Sequence, residues 1–513
     1  MSDTENQYLK LQNGSDIRGV AVEGVEGESV NLTRERMYYI ARSFVKSVCK
    51  KTGKEAGDIV VTIGHDSRIS AKELKDAAVF GILKEGAKPV YTGLSTTPAM
   101  FMSTVLPGIK SDGAMMLTAS HLPYNRNGAK LFTANGGYEK TDIAELLKDA
   151  AAFEERDGEA GSVSFWEKGE GSPCGEYDLM KEYSAHLCDI IKKNVNAGDY
   201  DAPLKGLHIV VDAGNGASGF FAPDVLKKLG ADVSGSRFLE PDGMFPNHQP
   251  NPENKKAMES IQSCVLENKA DLGIIFDTDG DRAAAVFADG SEINRNAFIA
   301  ISAAILAKDY PGTTVVTDSI TSDELTDFLE NSLGMKHHRF KRGYRNVINE
   351  AVRLNNEGIE THLAMETSGH GAVKENYFLD DGAYLSVMLI CALASMRNEG
   401  GDVTDLIKDL KYPAEATEFR MKIPAEDFAA FGEKTIGDFR SFCKETEGFS
   451  IEEKNYEGVR VRVDTGDIHG WLLLRMSLHD PILPLNVESK EPGGLEKILD
   501  MVRGFFKERG LEL

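Results

Sequence analysis

Three times along this 513-residue chain a run of β-branched residues breaks at a turn rich in Gly, Asp and Ser, passes into a helical pattern and returns to a strand. The first unit is Ile59-Val-Val-Thr-Ile63, the turn GHDSRIS, a helix from about Ala71 to Glu85 and the strand KPVYTG. The second is Leu207-His-Ile-Val-Val211, DAGNGASG, a helix near Ala222 to Leu229 and the strand ADVSG. The third is Thr313-Thr-Val-Val-Thr317, DSITSDE, a helix to about Leu333 and the strand HHRF. A strand–helix–strand crossover is right-handed and returns the chain parallel to its start, so each unit builds mixed or parallel sheet covered by helices. The repeat predicts three related α/β domains. From about Pro413 the texture changes to TEFRMKIP, FSIEEKNYEGVRVRVD and GWLLLRMSL, closing with a helix near Gly494 to Glu508, which predicts a smaller α+β fourth domain. The expected boundaries are 1–175, 176–295, 296–412 and 413–513. The polar, glycine-rich stretch from Phe153 to Gly175 is expected to be a surface insertion or linker.

A chain of this length needs more than one core, and 41% apolar residues suffice for several. Lys+Arg is 58 against Asp+Glu 81, a balance of -23 that argues against nucleic acid or an anionic membrane as partner. An anionic substrate must therefore be met by locally gathered basic residues. The six cysteines are scattered, with no C-x-x-C pair and no zinc-like spacing to histidines, as expected of reduced thiols. The N-terminus, MSDTENQYLK, has neither a basic start nor an apolar h-region, and the apolar runs Phe298 to Ala307 and Tyr384 to Met396 are too short to cross a bilayer. A cytoplasmic enzyme is the expectation.

The chemistry concentrates in two places. DLGIIFDTDGDRAAAVF sets Asp277, Asp279 and Asp281 just after an apolar strand, on a tight turn at Gly280 that can aim all three at one point. Carboxylates so close repel one another unless a cation joins them. An EF-hand also begins D-x-D-x-D, but here its sixth position is Arg282 instead of Gly and its twelfth is Ala288 instead of Glu. A merely solvated Asp/Gly turn is the plain alternative; Mg²⁺, completed by a phosphate oxygen, suits three hard carboxylates. Far upstream, MMLTASHLPYNRNGAKLF carries Ser120, which taken alone reads as a helix cap. Beside it, His121 and Lys130 are able to move protons, on a loop of small residues open to a bulky anion. Together these suggest phosphoryl transfer. A competitor of another class comes from Gly214-Asn-Gly216-Ala-Ser-Gly219, which follows a strand with Asp232 at the distance of a ribose-binding acid, the pattern of an NAD-dependent dehydrogenase. The same motif also reads as a structural turn.

In this order the motifs resemble the α-D-phosphohexomutase family over nearly the whole chain. Ser15 to Gly19 (SDIRG) looks like the family's Y-D-I-R-G, Gly64 to Arg68 (GHDSR) like its G-x-D-S-R, and TASHLPYNRNGAK like its phosphoserine loop. DTDGDR is similar to its D-G-D-G-D-R metal loop, with Thr278 in place of a glycine. KRGYRNV resembles the loop that begins sugar recognition, and Glu366-Thr-Ser368-Gly-His370 the E-x-S-G-H sugar loop. The resemblance implies three α/β domains with mixed sheets and a C-terminal α+β domain around a central cleft. In chain order these would give the phosphoserine, metal, sugar and phosphate loops. It implies a phosphosugar substrate, glucose or mannose phosphate, whose phosphate moves between O1 and O6 through a phosphoserine enzyme and a hexose 1,6-bisphosphate that also serves as activator.

Residue by residue, the resemblance implies that Ser120 is the phosphoryl carrier. One Mg²⁺ would lie on Asp277, Asp279, Asp281 and a phosphoserine oxygen. Lys130 would be general acid or base, its pKa lowered by burial and by nearby Arg18 and Arg282, with His121 as second candidate. Arg18 and Arg282 would stabilise the transferring phosphoryl. Lys341, Gly343, Tyr344, Glu366, Ser368 and His370 would bind substrate, Glu366 and Ser368 holding the 3- and 4-hydroxyls. Any one of these charged groups, by itself, also reads as an ordinary surface or ion-pair residue. The last loop departs from the family's R-x-S-[NG]-T-[ET]-P: here it reads Arg475-Met-Ser477-Leu478-His479-Asp480-Pro481. Arg475, Ser477 and His479 are the expected phosphate-binding residues, His479 replacing a threonine donor and loosening its hold as pH rises. A glucosamine phosphate substrate, or a phosphatase in which water takes the phosphoryl, are the neighbouring readings. A monomer or homodimer is compatible with the sequence.

Overall fold

A computed structural model describes residues 2–158, 174–477 and 480–513. The chain forms two compact units, Met1–Asn294 with Ser368–Asp405, and Arg295–Thr367 with Leu406–Leu513.

The first unit holds two sheets. In one, Val60–His65 lies between Lys88–Leu94 and Gly113–Leu117, parallel to both; Arg126–Thr133 then joins Gly113–Leu117 antiparallel, and Asp16–Val20 joins Arg126–Thr133 antiparallel. The mixed sheet predicted from the first repeat is thus present, with helix Ala71–Lys84 as its crossover. Helices Arg34–Thr52 and Lys140–Asp157 share its core, where Phe44, Ile63, Ile82, Met115 and Leu147 are buried. Two distant segments meet through register. Arg18 is directly opposite Gly128, and Lys130 lies two residues further along the same strand, so Arg18 and Lys130 share one face of the sheet.

The expected linker from Phe153 to Gly175 begins later than predicted. Helix Lys140–Asp157 continues through its first residues because Phe153 packs on the core with the Arg42 guanidinium 4.4 Å above its ring. Gly175–Glu176 already pairs with Val90 and Tyr91; residues 159–173 lie outside the described residues.

The second sheet of this unit runs Glu292–Ile293, Ala283–Phe287, Leu272–Phe276, Ile209–Asp212. Leu272–Phe276 is parallel to Ile209–Asp212 and antiparallel to Ala283–Phe287, with Phe276 opposite Ala283, so Asp277 to Arg282 is the whole connection of a hairpin. The repeat is weaker here than the sequence suggests. The helix expected at Ala222 to Leu229 forms as short 3₁₀ and π turns, since Pro223 lacks the amide a regular α-helix needs, and ADVSG contributes one isolated bridge, Asp232 with His208.

In the second unit, Thr314–Thr317 lies parallel to Lys336–Arg339, as the third repeat predicts, and also to Thr361–Met365. The C-terminal part is an antiparallel sheet ordered Glu415–Lys422, Ile482–Ser489, His469–Leu474, Val459–Asp464, Phe449–Ile451, with helices Phe428–Glu445 and Gly494–Lys507. It has its own core, including Phe439, Leu472, Leu485, Val502 and Phe506. Among the described residues no helix is long and apolar enough to cross a membrane.

Candidate active site

The serine loop leaves strand Gly113–Leu117 and re-enters the sheet at Arg126. Ser120 has φ 49°, a left-handed conformation that costs a residue with a Cβ about 1–2 kcal/mol. One buried side chain holds the loop in that shape. Arg68 donates from Nη1 to Pro123 O at 2.6 Å and Arg126 O at 2.9 Å, and from Nη2 to Leu122 O at 2.6 Å and to Ser120 O. Asp66 lies 3.2 Å from Arg68 Nε and balances its charge in the dry interior. This is what GHDSR does here.

The metal-loop candidate is the hairpin connection Asp277 to Arg282. Asp277 Oδ1 accepts from Gly280 N at 2.9 Å, and its Oδ2 accepts from Arg282 Nε at 3.1 Å. Across the unit, Ser120 Oγ donates to Asp277 Oδ2 at 3.1 Å. Asp279 Oδ2 accepts from Thr97 and lies 3.1 Å from Lys130 Nζ, which also donates to Asp281. The three carboxylates each place an oxygen within 4.8 Å of the others, and all are buried. Asp279 Oδ1 and Asp281 Oδ1 are buried with no hydrogen-bond partner.

The electrostatics follow. Burial, together with Asp281 and Asp279, pushes the Asp277 carboxyl up to about 8. Burial works the same way on Asp279, but Lys130 and Arg18 outweigh it and hold that carboxyl below its usual range. Three hard oxygen donors in one dry place, two with orphaned atoms, fit a small divalent cation such as Mg²⁺.

Around the cage stand the other expected residues of this unit. Arg18 donates to Thr118 O and, at 2.8 Å, to Asp16. Lys130 shares a sheet face with Arg18, and its ammonium pairs with the carboxylates of Asp279 and Asp281. His121 Nδ1 is 3.3 Å from Ser120 Oγ, and burial with Arg282 and Arg18 close by holds the ring down at about 2, hence neutral. His370 is the opposite case. Its Nδ1 is 2.5 Å from Asp380 Oδ2, and although burial opposes charge, Asp380 and Asp281 raise it to about 9. The surroundings of the cage thus disfavour a proton on one nearby imidazole, His121, and favour it on another, His370.

Arg282 is clamped by residues that sequence reasoning missed. Nη1 donates to Asn251 Oδ1 at 3.2 Å with Glu253 at 3.7 Å, while Nη2 is buried without a partner. From the same segment Gln249 donates to His121 O at 2.9 Å, and the Phe245 ring lies 5.3 Å from the Arg68 guanidinium. The available signal was FPNHQPNPE, three prolines in nine residues, a rigid strap with no helix or strand of its own.

The glycine-rich turn has a different job from the dinucleotide fingerprint. Gly214, Asn215, Gly216 and Ala217 donate their amides to Asp212 Oδ1, Phe238 O, Ala213 O and Thr278 O at 2.8 to 2.9 Å, so these four are not turned to a pyrophosphate. A Cβ on Gly216 would lie 2.5 Å from Thr278 O. The turn is the bed on which the acidic loop rests.

In the second unit, Glu366 Oε1 accepts from Gly343 N at 2.5 Å, and Tyr344 opens helix Tyr344–Asn356. Lys341 is exposed, with Nζ 6.0 Å from the centre of the Phe340 ring. Arg475 is buried and Ser477 Oγ accepts from Asp480 N at 3.2 Å. Ser368, buried, begins the segment that returns to the first unit and carries His370 there. His479 lies outside the described residues.

Comparison with known proteins shows the family and the fold. Three family models of phosphoglucomutase/phosphomannomutase match, alpha/beta/alpha domain I over residues 10–157, domain II over 181–290 and domain III over 294–412. The phosphomannomutase/phosphoglucomutase of Pseudomonas syringae pv. tomato is 27% identical over 484 residues, 94% of this chain and 92% of that one. A phosphoglucosamine mutase of Salinispora arenicola is 29% identical over 458 residues, 86% of this chain and 89% of that one. Among solved structures, a phosphoglucomutase/phosphomannomutase family protein from Burkholderia thailandensis superposes with a TM-score of 0.75 at 25% identity, covering 99% of this chain and 98% of that one.

Proposed function

The chain belongs to the phosphoglucomutase/phosphomannomutase family of α-D-phosphohexomutases, and from that premise we propose that it interconverts hexose 1-phosphate and hexose 6-phosphate, of glucose or mannose, through a phosphoserine at Ser120. The observation that carries the proposal is the 3.1 Å contact of Ser120 Oγ with Asp277, which sets a strained, exactingly held serine against three buried carboxylates. Asp277, Asp279, Asp281 and a phosphoserine oxygen would hold one Mg²⁺, which when bound neutralises charge on the transferring phosphoryl.

The chain's own groups do the rest. The free Nη2 of Arg282 and the guanidinium of Arg18 meet the phosphoryl oxygens. Phosphoserine gives its phosphoryl to a sugar hydroxyl, whose proton passes to Lys130, and the Ser120 oxygen is left to be rephosphorylated. The resulting hexose 1,6-bisphosphate turns, and its other phosphate returns to Ser120 while Lys130 returns the proton to the departing sugar oxygen. His121, neutral beside Ser120, is the second proton carrier. Glu366, Ser368 and His370, with Lys341, Gly343 and Tyr344, orient the sugar; Arg475, Ser477 and His479 hold the phosphate that is not reacting. A bisphosphosugar that escapes leaves Ser120 bare, so trace hexose 1,6-bisphosphate acts as activator. Six unpaired cysteines accord with a cytoplasmic enzyme.

Purified protein assayed with mannose 1-phosphate, glucose 1-phosphate and glucosamine 1-phosphate, with Mg²⁺ and a trace of bisphosphosugar, tests the reading. Isomer from the first two is expected, and Ser120→Ala should lower kcat by about 10³-fold or more. Free phosphate without isomer, or full activity in Ser120→Ala, would overturn it. The likeness to the Salinispora enzyme supports glucosamine phosphate as the second reading, and turnover of that substrate alone would select it.

A further inference from the structure

Phe245 to Glu253 forms neither helix nor strand, and its course is set by what its side chains grip. At the root of this strap, His248 Nε2 donates to the Asp212 carboxylate at 3.0 Å and Nδ1 donates to Gln249 O at 3.0 Å. Asp212 also accepts from Gly214 N at 2.9 Å and from Ser260 Oγ at 2.6 Å, so one buried carboxylate ties the strap to the glycine-rich bed and to helix Lys255–Asn268. Pro250 closes the same joint, since a Cβ on Gly214 would meet Pro250 Cβ at 2.7 Å. Strap and bed are packed as one piece.

From that root the strap reaches both loops of the site. Gln249 Nε2 donates to His121 O in the serine loop at 2.9 Å. Asn251 Oδ1 accepts from Arg282 Nη1 in the acidic loop at 3.2 Å, and its aim is set by its own turn, because the same oxygen accepts from Glu253 N at 3.0 Å while Asn251 O accepts from Asn254 N at 2.8 Å. A backbone amide can only donate, so the side-chain oxygen of Asn251 and not its NH2 group faces Arg282. The guanidinium is then gripped at two points, Nε on Asp277 Oδ2 at 3.1 Å and Nη1 on Asn251, while its buried Nη2 has no partner.

We infer that Asn251 is a positioning residue for phosphoryl transfer, fixing the Arg282 guanidinium so that Nη2 serves the phosphoryl carried on Ser120, with the Asp212–His248 joint as its fixed point. The inference rests on the phosphohexomutase reading. Asp277 alone is a poor holder for Arg282, because in that reading it also serves the metal ion; an acceptor that binds no metal keeps the guanidinium in place through the whole cycle. A guanidinium that swings loses the in-line stabilisation of the transferring group, and a phosphoryl covalent on Ser120 makes no contribution to KM.

The test joins steady-state kinetics on hexose 1-phosphate with calorimetric titration of inorganic phosphate, in wild type, Asn251→Ala and Asn251→Asp, and again with each protein carrying Arg282→Met. Asn251→Ala should lower kcat about tenfold with KM within about threefold of wild type, and weaken phosphate binding about fivefold. Asn251→Asp keeps the acceptor and should return both to within about threefold of wild type. In the Arg282→Met background Asn251→Ala should change neither by more than about twofold, because a residue that acts through Arg282 has nothing left to position. Wild-type kcat and phosphate affinity in Asn251→Ala would overturn the inference, as would the same loss with or without Arg282. Should Arg282→Met not fold, equal losses in Asn251→Ala and Asn251→Asp overturn it and recovery in Asn251→Asp upholds it. If wild type makes no hexose isomer, the mutase reading fails while the phosphate titration still decides whether Asn251 holds Arg282; if isomer forms and Asn251→Ala behaves as wild type, the positioning role alone fails.

Discussion

Glu488 is a buried carboxyl whose Oε2 accepts from Trp471 Nε1 at 2.7 Å, and burial raises it to about 7 from an ordinary 4.5. The folded group therefore keeps a proton that the unfolded chain has already released. Its contribution to stability is complete below about pH 4.5, is lost as pH rises toward about 7, and is flat above, a span of about 3 kcal/mol. Glu488→Gln should erase that slope, so that melting temperatures of variant and wild type agree near pH 4.5 and the variant is the more stable at about pH 8. Curves that run parallel at every pH would count against the assignment. At this same scale the acidic triplet was legible in the sequence, because alternate carboxylates on a tight turn can only converge. The company of Lys130 was not. It depends on Arg18 standing opposite Gly128 and on the reach from residue 130 to Asp281, and register is a property of two strands that neither encodes alone. Asn251 escaped notice for a simpler reason: an amide accepting one hydrogen bond from Arg282 has no periodicity and no charge to betray it.

At the level of elements, the acidic hairpin owes its shape to what lies beneath it. Gly216 packs so closely on Thr278 that an added methyl would meet its carbonyl oxygen at 2.5 Å and its Cα at 2.8 Å, backbone atoms that move only if the loop moves. Gly216→Ala should cost about 2–4 kcal/mol in denaturant unfolding and weaken Mg²⁺ binding about tenfold, read by titration of the purified variant. Unchanged metal affinity would show that the bed does not aim the carboxylates. The glycines of this turn were visible in the sequence but carried the wrong meaning, since G-x-G-x-x-G reports only that something approaches the backbone closely. Here the neighbour is another loop of the same chain. The strand–helix–strand repeat of the sequence matches the structure where helix propensity is unbroken, as at Ala71–Lys84, and overstates it where Pro223 interrupts the helix.

For the molecule as a whole, two compact units with separate cores imply that heat does not unfold the chain in one step. Calorimetry should resolve more than one transition, and Mg²⁺ at about 100 times its dissociation constant should stabilise only the unit with the acidic cage, by about 3 kcal/mol. A single transition with equal calorimetric and van't Hoff enthalpies would refute this. The repeats announced the α/β domains and the C-terminal change of texture, yet not that the first unit is discontinuous, because the sequence marks where elements begin and not which earlier element they return to. That discontinuity bears on synthesis. Helix Gly382–Asn398 packs on helix Leu179–Val195 and on strand Ala283–Phe287, and Tyr183 donates to both oxygens of Asp381 at 2.8 Å. A ribosome delivers these residues only after Arg295–Thr367 has emerged. The nascent first unit must therefore wait, its serine and acidic loops already made, until Ser368–Asp405 brings His370 and closes its core.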